Sequence, residues 1–277
     1  MITVYIFLIV IVATTIHTII GCITVPMQGA MIIDAIGHSV VAGIIGGFII
    51  GHSLHSIWLF IGAILSAIIM NILIIFLSQN NKITYDASIG ISFSFMFSIG
   101  ILLISIYARN IHLDLDMILL GNIEYAVYDT IKIFNFFIPK ILIMLFSALL
   151  FLLFLLILFW KKLIAMLFDK EYSKMKGVQY FLISIILISL NSYIIVSSFN
   201  AIGALILTGI AVSPFGFSWH GKKSYYSFIA SGIFYNLIFA ILGCIASLLL
   251  NIPIAATVAL FTTSGALINI FHGIVKK

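Results

Sequence analysis

With 277 residues, 64% of them hydrophobic and only 8% charged, and a formal charge of +5, the chain departs sharply from the roughly 25% charged composition of a soluble domain. Apolar runs of about 20 residues, each long enough to cross a hydrocarbon core about 30 Å thick, recur along the whole length. The reading is therefore an all-α polytopic transmembrane bundle, one domain over residues 1–277, with no segment left for a soluble catalytic domain.

Nine spans are expected, at 4–22, 27–50, 56–77, 87–107, 134–160, 178–197, 200–216, 225–249 and 254–272. The first begins almost at Met1 without a basic n-region or a small-residue cleavage site, so it reads as a retained helix. The second carries Asp34 and His38 inside its apolar run. Four residues apart on a helix, the two side chains share one face, separated by about 6 Å along the axis. Gly43, Gly47 and Gly51 fall on the roughly opposite face, in a small-residue pattern that lets another helix backbone approach closely.

An Asp near the bilayer centre costs about 2.5–3.5 kcal/mol on insertion scales, so Asp34 calls for a cavity, a partner or a bound cation. One carboxylate oxygen and one imidazole nitrogen suit borderline divalent ions such as manganese, iron(II) or zinc. Two ligands are too few, and water, a symmetry-related copy of the helix or a polar group on another span would have to complete the set. An internal ion pair and a proton relay are the alternatives that the residues leave open. His52 and His55, an H-x-x-H at the outer end of the same helix, have a spacing that could hold a metal on one helical turn. His17, His112, His220 and His272 stand alone and read as core or surface histidines, and Cys22 and Cys244 describe neither a disulfide framework nor a thiolate cage.

Further along, Ala108–Ile133 carries Asp114, Asp116, Glu124 and Asp129 against Arg109 and Lys132, either an acidic vestibule attractive to cations or an ordinary solvated loop. The loop from Lys161 to Gly177 is rich in lysine, as are Lys222-Lys223 and the tail Lys276-Lys277. Two spans separate each neighbouring pair of these basic segments, which puts all three in the cytoplasm, with the N-terminus outside and the C-terminus inside. The span at 200–216 holds Gly203, Gly209, Pro214 and Gly216 and reads as broken or re-entrant. If it fails to cross, the count becomes eight. No phosphate loop, zinc-protease helix or nucleophile elbow occurs in the sequence, so any ATP-driven motor is another polypeptide, docking on the basic segment 163–177.

Several stretches together resemble the membrane permease of bacterial ABC transporters that import manganese, zinc or iron. MIIDAIGHSVVAGI is similar to the family's M-S-L-x-G-D-A-[IL]-S-H-[AS]-V-L-P-G stretch, and YDASIGISFSFMFSIGILLIS to its D-A-x-I-G-I-x-F-S segment. LDLDMILLGNI is similar to D-L-D-x-x-L-F-G-N-I, and LFDKEYSKMKGV to the ATPase-facing F-D-P-E-[FY]-A-x-x-x-G. IGALILTGIAVSP and NIPIAATVAL are similar to the two glycine-rich C-terminal helices.

The resemblance implies a homodimer of permeases in the bacterial plasma membrane, bound to cytoplasmic ATP-binding subunits and fed by an extracytoplasmic metal-binding protein. It also implies a place for Asp34 and His38 on the metal path, and an ATPase-docking role for Phe168, Asp169, Glu171, Tyr172 and Gly177. Gly37 and Ala42 replace the usual Ser and Pro, and Lys170 stands where Pro is common. The rival readings are a proton-coupled secondary transporter and a membrane-embedded enzyme, for which no acid–base cluster beyond Asp34 and His38 is found.

Overall fold

The computed structural model describes residues 2–52, 57–79, 83–107, 121–133, 136–168, 173, 175, 180–218 and 224–275. In chain order the elements are α1 (Ile2–Gln28), α2 (Met31–Gly51), α3 (Ile57–Ser78), α4 (Tyr85–Tyr107), α5 (Ile123–Ala126), β1 (Thr130–Ile133), β2 (Phe136–Pro139), α6 (Lys140–Phe168), α7 (Tyr180–Ile202), α8 (Ala204–Ser218), α9 (Tyr225–Leu250) and α10 (Ile254–Val275). A helix lies over each of the expected spans. Among the described residues, seven helices are long and apolar enough to cross a membrane, while α7 and α8 contribute the shorter apolar runs Leu182–Ser198 and Leu207–Phe217. The chain is a multi-pass membrane protein.

Three expectations are corrected. The span expected from 134 does not start there, because Phe136–Pro139 pairs antiparallel with Thr130–Ile133 in a small hairpin, the one strand pairing among the described residues of an otherwise all-helical fold. β-Branched and aromatic residues favour the extended backbone here, and Pro139 holds the residue before it out of the helical region. Helix α6 then begins at Lys140, whose main-chain N–H donates to Asp129 O at 2.9 Å and whose ammonium lies 2.6 Å from the Asp129 carboxylate. At its other end α6 runs on past Trp160 to Phe168, carrying Lys161 and Lys162 on the helix, the latter with its ammonium 5.7 Å from the Phe159 ring centre. The expected break before residue 200 falls instead at Gly203, whose φ of +72° suits glycine and separates α7 from α8.

The chain divides into two compact units, one of Met1–Ile23, Leu115–Phe154 and Ser197–Lys277, the other of Thr24–Asp114 and Leu155–Val196. In the second unit α2 packs against both α3 and α4. The approach to α3 is backbone on backbone. A Cβ on Gly43 would collide with the carbonyl of Gly62, one on Gly62 with the carbonyl of Gly43, and one on Gly47 with the carbonyl of Trp58. From the α4 side, a Cβ on Gly100 would stand 3.0 Å from the Ala42 nitrogen. Small residues allow this closeness where lipid gives no hydrophobic drive for helices to associate. α3 turns the stripe Ile57, Ile61, Leu65, Ile69, Ile72 and Phe76 outward, apolar surface suited to lipid.

In the first unit α8, α9 and α10 pack on one another. The short α8 is tied at its C-terminal end by Asn269 of α10, whose Nδ2 donates to the carbonyls of Gly216 at 2.9 Å and Phe217 at 2.8 Å. They belong to the last turn of α8 as described, where helical carbonyls call for donors from outside the helix, and the Asn269 side chain supplies them.

The glycine contacts make a direct prediction. Gly43→Leu places a side chain into the α3 backbone and costs about 1–3 kcal/mol or more, whereas Gly46→Leu, at a position where a Cβ meets nothing within 4 Å, is tolerated. Thermal unfolding midpoints of the two purified variants check the contrast.

Candidate functional site

Asp34 and His38 lie within α2, Asp34 in its first turn, where the unpaired N–H groups of a helix start favour negative charge. The pair faces itself across one turn: His38 Nε2 stands 3.7 Å from Asp34 Oδ1. That is too long for a hydrogen bond. It is close to the separation of two donors on one ion, since ligands about 2.1 Å from a tetrahedral metal lie about 3.4 Å apart. A small side-chain rotation would let both bind the same cation. Exposure is unequal, with 47% of the Asp34 side chain accessible and 16% of His38.

The His38 ring is set by α4. Phe93 and Phe97, one helical turn apart, hold their rings 5.2 and 5.1 Å from its centre, tilted and edge-on. These two aromatics lie in the FSFMF segment singled out from the sequence, but their role did not show there, because it depends on how α4 packs on α2. The ring's other nitrogen, Nδ1, is buried and has no hydrogen-bond partner among the described residues. A ligating histidine ordinarily donates its second N–H to an acceptor that fixes the ring; here the phenylalanine walls restrict the ring instead.

The remaining sequence candidates fall elsewhere. His52 lies just past the end of α2. α2 stops at Gly51, and His52 caps it in the left-handed region with φ 49°, its N–H donating to Phe48 O at 2.8 Å. Its partner in the H-x-x-H, His55, lies outside the described residues. Fourteen positions from His38, about 21 Å along the helix, His52 does not join the Asp34–His38 pair. His17 is a satisfied core histidine: Nδ1 pairs with Ala13 O at 2.8 Å, and since a carbonyl only accepts, Nδ1 carries the proton and Nε2 accepts from Ser198 Oγ at 3.4 Å. Cys22 and Cys244 are free and buried, as expected.

Of the docking residues, Phe168 is the last residue of α6 and is exposed, while Asp169, Glu171, Tyr172 and Gly177 lie outside the described residues. Among the described residues no group of three or more His, Cys, Asp or Glu side chains gathers to hold a metal. The Asp34–His38 pair offers one oxygen and one nitrogen donor, half of what a four-coordinate ion would take.

Comparison with known proteins bears on what that half-site does. The family model for the ABC 3 transport family matches residues 1–273. The manganese transport system membrane protein MntD of Bacillus subtilis (strain 168) is 31% identical over 265 residues, 94% of this chain and 89% of that protein. The zinc transport system membrane protein TroD of Treponema pallidum (strain Nichols) is 30% identical over 212 residues, 76% of this chain and 58% of the longer TroD. Among solved structures, PsaBC from Streptococcus pneumoniae in complex with Fab matches in fold, with a TM-score of 0.78 at 23% identity over 95% of this chain and 89% of that one.

If the pair is a metal half-site, His38→Ala weakens zinc binding to the purified chain by about tenfold or more, and His52→Ala leaves it unchanged. Competition against a chromophoric chelator measures both.

Proposed function

The chain belongs to the ABC 3 transport family, a family of transporter components and not of enzymes, and from that premise we propose that it is the pore-forming permease of an ATP-driven importer of divalent transition metals. The observation that carries the reading is the pairing of one carboxylate oxygen with one imidazole nitrogen on a single face of α2, at a separation one ion can close. An N,O donor set suits manganese, zinc and iron(II), and the names of the relatives favour the first two. Family membership supports ATP-driven transport over the proton-coupled alternative.

The exposed side of the pair is where the set is completed. Asp34 is half exposed and Met31, one turn before it, is exposed. A second copy of the chain facing this side would bring its own Asp34 and His38, making a two-nitrogen, two-oxygen site on the path between the copies. Import then proceeds by alternating access: cytoplasmic ATP-binding subunits engage the segment 163–177, and their closure moves the helices around the bound ion. A metal-binding protein outside delivers the ion, which enters with no resident cofactor needed. Nine crossings, with the lysine-rich ends of the helices in the cytoplasm and the N-terminus outside, fit the charge distribution.

Uptake of radiolabelled manganese and zinc by cells producing the chain with its partner subunits tests the proposal. Asp34→Ala and His38→Ala each reduce uptake by at least about tenfold at unchanged membrane abundance. Undiminished uptake in both variants returns the pair to an internal ion pair.

A further inference from the structure

Two helices carry a proline inside them, Pro26 in α1 and Pro214 in α8. A proline has no N–H, so the carbonyl four residues earlier loses its helical donor. In hydrocarbon such a carbonyl cannot turn to water, and it has to be satisfied from within the protein. The two carbonyls concerned are those of Cys22 and Ile210, and both receive a donor from the same neighbouring helix. The Tyr225 hydroxyl of α9 donates to Cys22 O. Asn236 of α9 donates through Nδ2 to Ile210 O at 2.9 Å.

Asn236 is fully buried and its amide is fully used. Besides Ile210 O, Nδ2 donates to Thr18 Oγ1 of α1 at 2.7 Å; the single proton of Ser213 Oγ is within reach of both Asn236 Oδ1 at 2.7 Å and Ile210 O at 2.9 Å, and where it goes to Oδ1 the Asn236 amide is the donor left for Ile210 O. Since Ile210 O can only accept, the atom facing it is the nitrogen, which fixes the orientation of the amide. Tyr225 and Asn236 are eleven positions apart, about three helical turns, and so lie on one face of α9.

We propose that α9 is a splint for the two proline-bearing helices, with Tyr225 and Asn236 as positioning residues that replace the backbone hydrogen bonds deleted by Pro26 and Pro214. The consequence is that α1 and α8 run on as helices past their prolines only while they are held against this face of α9. The assignment is independent of which ion is carried and of the Asp34–His38 site.

Double-mutant cycles on the full-length chain in detergent, read as thermal unfolding midpoints, test it. Tyr225→Phe and Asn236→Leu each lower the midpoint by about 2–4 °C in the parent chain. In the matching background, Pro26→Ala for Tyr225→Phe and Pro214→Ala for Asn236→Leu, the restored backbone N–H takes over and the drop falls to less than half. In the mismatched background the full drop persists. Drops of equal size in parent and matching backgrounds overturn the proposal. Tyr225→Phe removes a single oxygen and keeps the first cycle measurable. Should Asn236→Leu fail to accumulate, its recovery by Pro214→Ala supports the splint, and failure in both backgrounds counts against it.

Discussion

The contact on which the surroundings of Asp34 and His38 depend is the meeting of α2 and α3 backbones at Gly43, Gly47 and Gly62. Lipid tails are as apolar as leucine, so nothing squeezes these helices together except close packing, and close packing needs the missing side chains. Once α3 occupies the glycine face of α2 and α4 lies against Ala42, the direction in which Asp34 and His38 point is no longer free. Their face is bounded by Phe93 and Phe97 and open on the Asp34 side. On the proposed reading, an imidazole held between aromatic rings beside an accessible carboxylate would give a passing ion enough donors to replace part of its water and too few to trap it.

The same scarcity of water governs the first unit in a different way. There the costly groups are backbone carbonyls stripped of their donors by proline or by the end of a helix, and side chains repay them: Tyr225 and Asn236 from α9, Asn269 from α10. Polar side chains inside this protein thus serve two purposes. In the first unit Asn236 and Asn269 spend their amide donors on backbone carbonyls and fix helix shape, whereas in the second His38 keeps a buried ring nitrogen without a partner among the described residues, and Asp34 keeps its carboxylate within reach of something else.

Much of this was legible in the sequence, for reasons that separate local from non-local physics. Apolar runs long enough to cross a bilayer announce their helices, and the i, i+4 spacing of Asp34 and His38 guarantees a shared face once α2 is a helix. The glycine rhythm of α2 foretold a close neighbour without saying which. The second strand of the hairpin, Phe136–Pro139, was hidden because its apolar residues lead into the apolar run of α6, where hydrophobicity cannot tell strand from helix, and Pro139 was the mark that could have separated them. His52 proves to be the cap of α2 rather than part of its run, and its H-x-x-H partner His55 lies outside the described residues. Phe93, Phe97, Tyr225 and Asn236 could not be assigned, since each acts on a helix other than its own. An interior proline with a polar residue on a neighbouring helix is the signal that would have pointed to the last two.

Pulsed electron paramagnetic resonance of the chain loaded with manganese(II) measures the central claim most directly, because it registers nitrogen bonded to the ion. The account predicts an imidazole nitrogen coupling in the parent protein that disappears in His38→Ala and persists in His52→Ala. A manganese shell built from oxygen alone, or a nitrogen coupling that survives His38→Ala, would contradict it.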